Sequence, residues 1–369
     1  MRIVQLLPEL NEGGVERGVV DFNRELVQRG HDSMVISAGG RLAAQIEAHG
    51  GQHRSCDIAS KNLLTAWPRV LQLQRLLREL QPDIIHARSR VPAWLAWLAN
   101  RPLGLPFVTT VHGFNSVNAY SKVMTYGDRV ICVSGAIREH VRKHYHVPEE
   151  TLRVIPRGID LEQFDPEQLD QAFIAEFRQR YQLQGRCVIS SVGRVTQLKD
   201  YETLIASLVA LKPQMPELTG LIVGGVREDK QDYFARLQAQ VRQAGAGDYI
   251  HFTGSQSRVA EIYALSTVVV CSSKKPESFG RAAAEALAMN VPVVASGHGG
   301  ILDIVREDQT GYLFNPGDVA TLAARLQQAA GRSWSGLRPF VVENFSLEQM
   351  VEKTLAVYAE LTASRGGQG

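Results

Sequence analysis

The chain has 369 residues, which corresponds to about two domains at roughly 150 residues each. Hydrophobic residues make up 44% of it, enough for sizeable cores and above the composition of disordered chains. The net charge is +2, with acidic and basic residues evenly spread, so neither a nucleic-acid partner nor a charged tail is indicated. The four cysteines stand alone, without metal or redox spacing, and we expect buried reduced thiols.

The first apolar run is about five residues long before Pro8, too short for a signal peptide or a membrane span. No later run reaches the roughly 18 residues of a spanning helix. We therefore expect a cytoplasmic protein, with any membrane role peripheral and on the inner face of the cytoplasmic membrane. The basic segments 69–78 and 137–145 are candidates for that contact, and solvated helix faces are the alternative.

Strands and helices alternate along the first half. Apolar runs predict strands at 2–7, 33–37, 53–58, 84–87, 107–112, 129–134 and 152–155. Helical periodicity predicts helices at 15–29, 41–49, 64–80, 93–99 and 135–145. Such alternation is typical of a parallel sheet with helices on its faces.

The second half repeats the alternation. Strands are predicted at 187–192, 218–223, 249–253, 268–272, 291–295 and 311–314, and a last helix at 346–363. The chain has more strand–helix alternations than one small doubly wound domain contains. We therefore predict an α/β fold of two doubly wound, Rossmann-like domains facing each other across a cleft. The predicted domains are 1–165 and 166–345, joined by a linker within 158–170. Residues 346–369 are predicted to form a C-terminal helix that packs back on the N-terminal domain and ends in a flexible tail.

The stretch 274–317 carries the strongest chemical signal. Glu277 lies in a loop after a strand, and Glu285 lies one to two turns into the small-residue helix that follows. Ligands of parallel sheets bind beyond the carboxyl ends of the strands. The start of this helix favours an anion unless Ser278 caps it. The amides available there belong to Gly280, Arg281 and Ala282. The pattern indicates a site for a phosphorylated, hydroxyl-rich ligand.

Three further positions follow strands. Gly13 and Gly14 open a helix and fit either a phosphate cradle or a tight turn with positive φ. Arg194 and Lys199 suit a diphosphate, with solvated surface cations as the alternative. His112 is placed to hydrogen-bond a substrate hydroxyl or is a structural histidine. Metal-binding motifs are absent, so we expect no tightly bound metal or cofactor.

These motifs occur in one order over almost the whole chain. They also include the segment IPRGID at 155–160, PVVA at 292–295 and the glycine pair at 299–300. In this set the chain resembles glycosyltransferase family 4, the retaining sugar-nucleotide transferases of the GT-B fold. The most specific feature is the spacing of Glu277 and Glu285, eight residues apart with Phe279 and Gly280 between them.

The resemblance implies roles for the residues of the matching motifs. Glu285 would hold the nucleotide ribose, and Glu277 would lie near the hydroxyls of the donor sugar. Arg194 and Lys199 would neutralise the diphosphate, and His112 would lie on the sugar's other side. The resemblance thus makes Glu277, His112, Arg194 and Lys199 the catalytic set. The other implied donor-binding residues are Gly13, Gly14, Ser278, Phe279, Gly280, Arg281 and Ala282.

The resemblance also implies the reaction. A UDP- or GDP-hexose would donate its sugar with retention, by attack on the face from which the phosphate departs. The departing phosphate would take the acceptor's proton, so charge stabilisation at phosphate is the main task. No protein general base is then needed, and Glu277 as a covalent nucleophile is the alternative. The chain departs from the common family pattern at Arg157, usually Asn, and Asp200, usually Gly.

A looser resemblance, to the branch of lipopolysaccharide-core mannosyltransferases, rests on three segments together: HARSR at 86–90, VTTVH at 108–112 and PRG at 156–158. It implies a glycolipid or oligosaccharide acceptor in lipopolysaccharide core or other cell-surface polysaccharide synthesis. Arg88 and Arg90 would pair with an acidic sugar or lipid phosphate, with Glu16 as a further acceptor contact. A solvated charged loop is the alternative.

Three other functions fit parts of the pattern. A non-hydrolysing sugar-nucleotide epimerase has the same fold, and it would change the configuration of the donor sugar without an acceptor. A dinucleotide oxidoreductase would need a spaced glycine fingerprint, which is missing here. A non-catalytic sugar-nucleotide-binding protein would retain affinity for the nucleotide without turnover.

Overall fold

The computed structural model describes residues 1–11 and 13–366. The described residues divide into two compact units: unit 1 comprises 1–158 and the chain from Leu347 onward, and unit 2 comprises 159–346. The boundary thus falls before the predicted position at 165/166. Ile159 already donates its amide hydrogen to the carbonyl of Phe345, and Phe164 is buried in a core of unit 2. Of the predicted flexible tail at 366–369, Gly366 is the last residue of a helix, and residues 367–369 lie outside the described residues.

Unit 1 contains a seven-stranded sheet in the order β3-β2-β1-β4-β5-β6-β7, and every neighbouring pair is parallel. Its strands are β1 (Arg2–Leu6), β2 (Asp32–Ser37), β3 (Gln52–Ser55), β4 (Ile84–Ala87), β5 (Phe107–Val111), β6 (Arg129–Cys132) and β7 (Leu152–Val154). The helices of its first 158 residues are α1 (Gly14–Gln28), α2 (Ala43–Ala48), α3 (Ala66–Leu80), α4 (Arg90–Asn100), α5 (Ala119–Lys122) and α6 (Gly135–Tyr145). The central strands are buried because helices cover both faces of the sheet, and their polar residues Gln5, His86, Thr109 and Thr110 are buried with them.

Unit 2 contains a six-stranded parallel sheet in the order β10-β9-β8-β11-β12-β13. Its strands are β8 (Cys187–Val192), β9 (Leu218–Val223), β10 (Ile250–Gly254), β11 (Val268–Cys271), β12 (Val293–Ser296) and β13 (Gly311–Phe314). Its helices are α7 (Gln171–Arg180), α8 (Tyr201–Leu211), α9 (Gln231–Gln243), α10 (Val259–Ala264), α11 (Arg281–Ala288), α12 (Val319–Ala330) and α13 (Leu337–Phe345).

The last helix, α14 (Leu347–Gly366), belongs to unit 1. Its residues Val351, Val357 and Tyr358 are buried in one core cluster with Ile3 and Phe22, which lie near the start of the chain. Unit 1 is therefore built from both ends of the sequence.

Both sheets reverse their strand order at one central position, between β1 and β4 in unit 1 and between β8 and β11 in unit 2. Two Rossmann-like parallel-sheet domains confirm the predicted fold class. In such sheets the carboxyl ends of the strands at the reversal form the ligand-binding edge.

Some element boundaries differ from the prediction. β3 ends at Ser55 rather than at residue 58, because the backbone ladder with β2 stops there although the apolar residues continue. α4 begins at Arg90, three residues early, after Ser89 in an extended conformation. Arg90 is therefore a helical residue and not part of a solvated loop.

Candidate active site

Two polar side chains meet at the strand reversal of unit 2. Lys199 follows β8 and Glu277 follows β11, and these strands are hydrogen-bonded neighbours. The Nζ atom of Lys199 lies 2.7 Å from Oε1 of Glu277. The hydroxyl of Ser273 donates to the same oxygen at 2.5 Å. The Glu277 carboxylate is thus held from two sides at the edge where a ligand is expected.

Electrostatics keep this pair ionised. Burial disfavours the charged form of Lys199, but the adjacent Glu277 carboxylate outweighs it, and the pKa of Lys199 is raised. Burial likewise opposes ionisation of Glu277, but the Lys199 charge and the hydrogen bonds from Lys199 and Ser273 prevail, and the pKa of Glu277 is lowered. At neutral pH Glu277 is therefore a carboxylate acceptor and not a proton donor.

Lys199 and Arg194 do not form an equivalent cationic pair. Lys199 is bound to Glu277, whereas Arg194 is exposed and makes no ion pair with any residue that the structure describes. The positive charge of Arg194 lies close enough to oppose protonation of Lys199. Arg194 is therefore the cation with its charge available to an anionic ligand.

The start of α11 is open. Gly280 precedes the helix with φ 107°, a left-handed conformation that favours glycine, and no side chain caps this end. The alternative that Ser278 caps this end is therefore excluded, because Gly280 and not Ser278 occupies the capping position. A side chain at Gly280 would also come within 2.7 Å of the Cδ1 atom of Ile301. The first amides of a helix have no acceptor within it, so this end can receive an anion.

Glu285 lies one turn further along α11 and is buried. Arg281 donates to its Oε1 atom at 2.7 Å, and the hydroxyl of Tyr263 donates to Oε2 at 3.0 Å. Burial and the Glu285 charge raise the pKa of Tyr263 well above its usual range, so this phenol remains a donor. Each carboxylate oxygen has a second lone pair, which leaves Glu285 able to accept a ligand hydroxyl.

Asp200, one of the two departures from the family pattern, has a structural explanation. It adopts the left-handed conformation, with φ 52°, at the start of α8. Its carboxylate accepts from the Thr203 hydroxyl at 2.8 Å and contacts the Lys274 ammonium at 3.0 Å. Aspartate is among the few residues that tolerate this conformation, so it replaces glycine while adding a helix cap.

Unit 1 has a cavity of about 240 Å³ at the carboxyl ends of β1, β4 and β5. Four residues predicted from the sequence line it together: Glu16, Arg88, Arg90 and His112. The structure thus brings the implied acceptor contacts and the implied catalytic histidine of unit 1 into one place.

His112 lines this cavity and has one ring nitrogen without a hydrogen-bond partner in the described part of the chain. A guanidinium nitrogen of Arg157 lies 3.4 Å from Nδ1, and Nε2 is buried without a hydrogen-bond partner. Because a guanidinium only donates, Nδ1 is the acceptor and Nε2 carries the hydrogen. Burial, with the charges of Arg157 and Arg88, places the pKa of His112 well below its usual value. Arg157, the second departure from the family pattern, therefore helps to keep His112 neutral.

Arg88 and Arg90 bring positive charge to the cavity without a carboxylate partner among the residues described. Arg88 donates to Oε1 of Gln5 at 2.7 Å, while its Nε is buried with no hydrogen-bond partner. Burial lowers the pKa of Arg88 from its usual value. Arg90 contacts the Ser121 hydroxyl at 3.2 Å, and its guanidinium lies over the ring of Tyr120. Glu16 is the one carboxylate that residues 1–11 and 13–366 contribute to the lining, so the two arginines leave a net positive charge that suits an anionic ligand.

The glycine pair at the start of α1 is not a turn with positive φ. Gly13 has φ −76°, and Gly14 is already helical. A side chain at Gly13 would come within 2.0 Å of Oε2 of Glu16, so the Glu16 carboxylate lies against the start of its own helix. Phosphate binding by Gly13 and Gly14 stays a prediction, and this carboxylate is a repulsive neighbour to it.

Comparison with known proteins now decides the family. The model for Glycosyltransferase Family 4 matches residues 12–163, and the model for Glycosyl transferases group 1 matches residues 173–331. The chain belongs to the family 4 glycosyltransferases. A D-inositol 3-phosphate glycosyltransferase of Salinispora arenicola is 29% identical over 318 residues, which cover 78% of this chain and 70% of that one.

Solved structures place this glycosyltransferase in the GT-B fold. A glycosyltransferase from Rickettsia africae has a TM-score of 0.90 and 28% identity, covering 98% of both chains. HepE from Anabaena, in complex with UDP and glucose, has a TM-score of 0.82 and 21% identity, covering 97% of this chain and 99% of that chain.

Sequence reasoning missed several partners in this glycosyltransferase. Arg281 and Glu285 have helical i, i+4 spacing, a signal that was available. Tyr263 lies 22 residues from Glu285, where no spacing rule applies. Buried His86 was also missed as a hydrogen-bonding centre: its ring nitrogens contact Tyr358 of α14 at 2.5 Å and Thr110 at 2.6 Å. Thr110 lines the unit 1 cavity, so the hydrogen bonds from Tyr358 through His86 to Thr110 connect α14 with the cavity.

Among residues 1–11 and 13–366, no three His, Cys, Asp or Glu side chains cluster as metal ligands, and none of the helices combines the length and hydropathy of a membrane-spanning segment. The proposed basic surface at 69–78 loses one member, because Arg69 is buried and donates to the carbonyls of Ser60, Asn62 and Thr65.

Proposed function

We propose that this glycosyltransferase moves a hexose, with retention and without a metal, from a UDP- or GDP-hexose to an acidic or phosphorylated acceptor. The observation that carries the proposal is the ionised Glu277, held by Lys199 and Ser273 at the strand reversal of unit 2. A carboxylate in that position accepts hydrogen bonds from sugar hydroxyls, and the open start of α11 lies only a few residues further along the chain.

The donor would be held mainly by unit 2. Arg194 and the first amides of α11 would bind the diphosphate, where both charge and donor geometry favour an anion. Glu285, oriented by Arg281 and Tyr263, would accept from the ribose hydroxyls. Lys199 would stabilise charge on the departing phosphate while keeping Glu277 ionised.

In the proposed step the bond between the sugar C1 and the β-phosphate oxygen breaks, and a bond from the acceptor oxygen to C1 forms on the same face. The acceptor's proton passes to the departing phosphate, which leaves as the nucleoside diphosphate. Glu277 has a lowered pKa and is bound to Lys199, so it is a poor general base and a poor nucleophile. Its role would be to position the sugar, and the Nε2 hydrogen of His112 would bond a substrate oxygen.

The acceptor would bind in the unit 1 cavity. Arg88 and Arg90 supply charge for a phosphate or an acidic sugar. A glycolipid of the lipopolysaccharide core is the acceptor class that the looser family resemblance, over 86–90, 108–112 and 156–158, suggests. Such an acceptor implies work at the inner face of the cytoplasmic membrane, where the basic last turn of α6 would meet anionic lipid. Cosedimentation with anionic vesicles that weakens as salt is raised tests this attachment.

Thermal stabilisation of the purified chain tests the donor. UDP, GDP and their hexoses are compared with NAD at equal concentration, and a ligand at one hundred times its Kd stabilises by about 2.7 kcal/mol. We expect one nucleotide series to raise the Tm and NAD to leave it unchanged. Stabilisation by NAD alone would reject the donor assignment.

Turnover separates the transferase from its alternatives. The preferred donor is incubated without an acceptor and followed by proton NMR and by release of nucleoside diphosphate. We expect slow hydrolysis with the sugar configuration of the remaining donor unchanged. A change of configuration would identify an epimerase, and tight binding with no release under any condition would identify a binding protein.

A further inference from the structure

Unit 1 has a second cavity, an apolar groove of about 510 Å³. It lies between the loop that precedes α3 on one side and helices α4 and α5 on the other. Large apolar side chains make up most of its lining: Leu63, Val91, Trp94, Leu95, Leu98 and Tyr120. The groove has more than twice the volume of the polar cavity that contains His112.

The walls of the groove are fixed by hydrogen bonds behind them. The buried guanidinium of Arg69 donates to three carbonyls of the loop at 60–65, at 2.7 to 3.0 Å. Across the groove, Nε1 of Trp94 donates to the Tyr120 carbonyl at 2.9 Å and ties α4 to α5. Buried donors committed to this loop indicate a preformed site.

The groove adjoins the polar cavity. Arg90 lines the cavity, and the next residue, Val91, lines the groove. The Arg90 guanidinium lies 5.2 Å from the centre of the Tyr120 ring, which is also part of the groove. The polar cavity with its arginines and the apolar groove thus share one wall. This arrangement matches a molecule with an anionic head group and a hydrocarbon chain.

Apolar side chains also stand out from the groove's edge. Leu63 and Leu64 are 87% and 91% exposed, and Trp67 is 63% exposed. Exposed apolar residues that cluster beside a groove mark a site of apolar contact. Lys61, at the same edge, supplies a further positive charge.

We propose that this groove binds the hydrocarbon chain of a lipid-linked acceptor, whose phosphate or acidic sugar lies in the adjoining cavity with Arg88 and Arg90. The inference rests on the proposed transferase function and specifies its acceptor. The chain, acyl or prenyl, would enter past Leu63 and Leu64 and lie against Trp94 and Leu98. The enzyme would then select acceptors by chain as well as by head group.

Calorimetric titration with n-alkyl phosphates of four to twelve carbons, below their micellar concentrations, tests the proposal without any donor. Each methylene buried in the groove is expected to tighten Kd, by up to about threefold to fourfold. The matching alkyl alcohols are expected to bind at least tenfold more weakly, because they lack the charge that Arg88 and Arg90 would meet.

Two variants and a control locate the binding. Ala119→Trp would fill the groove from an exposed position that lines it, and Leu63→Asp would place a charge at its edge. Both are expected to weaken decyl phosphate at least tenfold while leaving butyl phosphate within twofold. Val342→Asp changes a partly exposed apolar residue of unit 2 and is expected to bind as the wild type does.

A Kd independent of chain length, or unchanged long-chain binding in both groove variants, would overturn the proposal. The proposal would also be overturned if the protein sedimented with phosphatidylcholine vesicles in a Leu63-dependent manner but bound no monomeric alkyl phosphate. The exposed apolar surface would then dock on a bilayer. No nucleotide is present in these titrations. A negative result therefore does not bear on the donor assignment, and the titrations can still be interpreted if the protein binds no nucleotide.

Discussion

Lys199 and Glu277 form an ion pair of 2.7 Å that joins the loops after the two central strands of unit 2. The pair explains why two residues 78 positions apart belong to one site. It also gives the two cations different roles. Lys199 keeps the Glu277 carboxyl ionised, whereas the charge of Arg194 is available for a ligand.

Glu277→Gln should separate catalysis from nucleotide binding. The amide keeps the shape of the side chain but removes the charge that would stabilise and orient the donor sugar. We expect kcat to fall by about 10² to 10³, the range for loss of one electrostatic contact at a reacting centre. The Kd of the nucleoside diphosphate should change by less than about threefold, as measured by calorimetry.

Glu228→Gln is the matched control, because Glu228 is an exposed glutamate of the same unit. It should leave both constants within about twofold, well under 1 kcal/mol. A Glu277→Gln enzyme with full turnover and weakened nucleotide binding would show that Glu277 serves the nucleotide and not the sugar.

Tyr263→Phe should affect the nucleotide through Glu285. The hydroxyl of Tyr263 is a buried donor to the Glu285 carboxylate, at 3.0 Å. Its removal leaves a buried acceptor unsatisfied, at a cost of about 1 to 3 kcal/mol in unfolding free energy. If Glu285 holds the ribose, the Kd of the nucleotide rises by about tenfold for a 1.4 kcal/mol loss of orientation, with kcat little changed. Tyr249→Phe, at a partly exposed tyrosine, should change neither quantity.

The unfolding free energies of Asp200 variants should depend on two features: whether the residue tolerates the left-handed conformation, and whether its side chain caps α8. Asp200→Gly keeps the left-handed conformation but loses the helix cap, at a cost of roughly a few tenths of a kcal/mol in unfolding free energy. Asp200→Ala also strains the backbone, for roughly 1 to 2 kcal/mol more. Asp200→Asn retains both features and should be the mildest change. Urea unfolding gives the order, and an alanine variant as stable as the glycine variant would contradict the strain argument.

The stability of unit 1 should fall as the pH drops below about 6.5, the ordinary pKa of histidine. Burial holds the pKa of His86 and of His112 well below that value, so the native state lacks protons that the unfolded chain binds. Each such histidine contributes a slope of up to about 1.4 kcal/mol per pH unit. Urea unfolding at pH 5, 6 and 7, followed by tryptophan fluorescence, measures it.

His112→Asn should flatten this pH dependence, and His144→Asn, at an exposed histidine, should leave it as it is. Three of the four tryptophans lie in unit 1, so the fluorescence reports chiefly on that unit. An unchanged slope in His112→Asn would mean that His112 is not neutral in the folded protein.

The strands were the most predictable part of the molecule. β4, β8, β9 and β13 match their predicted bounds, because strands covered on both faces read as mainly apolar runs. α13 was not predicted from the sequence. Pro339 lies in the first turn of that helix, where the missing N–H would have had no acceptor.

The site was predictable as a set of positions but not as a set of bonds. Loops after parallel strands gave Lys199 and Glu277 in unit 2 and His112 in unit 1, since each sheet gathers the carboxyl ends of its strands at its own edge. The partners Tyr263 and Tyr358 come from helices distant in sequence, and only the packed fold brings them in. Ser278 shows the opposite limit: its residue type suits a cap, but the left-handed Gly280 starts the helix.

The return of α14 to unit 1 has a consequence for how the chain is made. The core formed by Ile3, Phe22, Val351 and Tyr358 draws on the first and last parts of the polypeptide. Unit 2 is contiguous, so it can complete its fold while synthesis continues. Unit 1 must wait for the final helix, so during translation the later half is expected to mature before the earlier one, the reverse of the usual vectorial order.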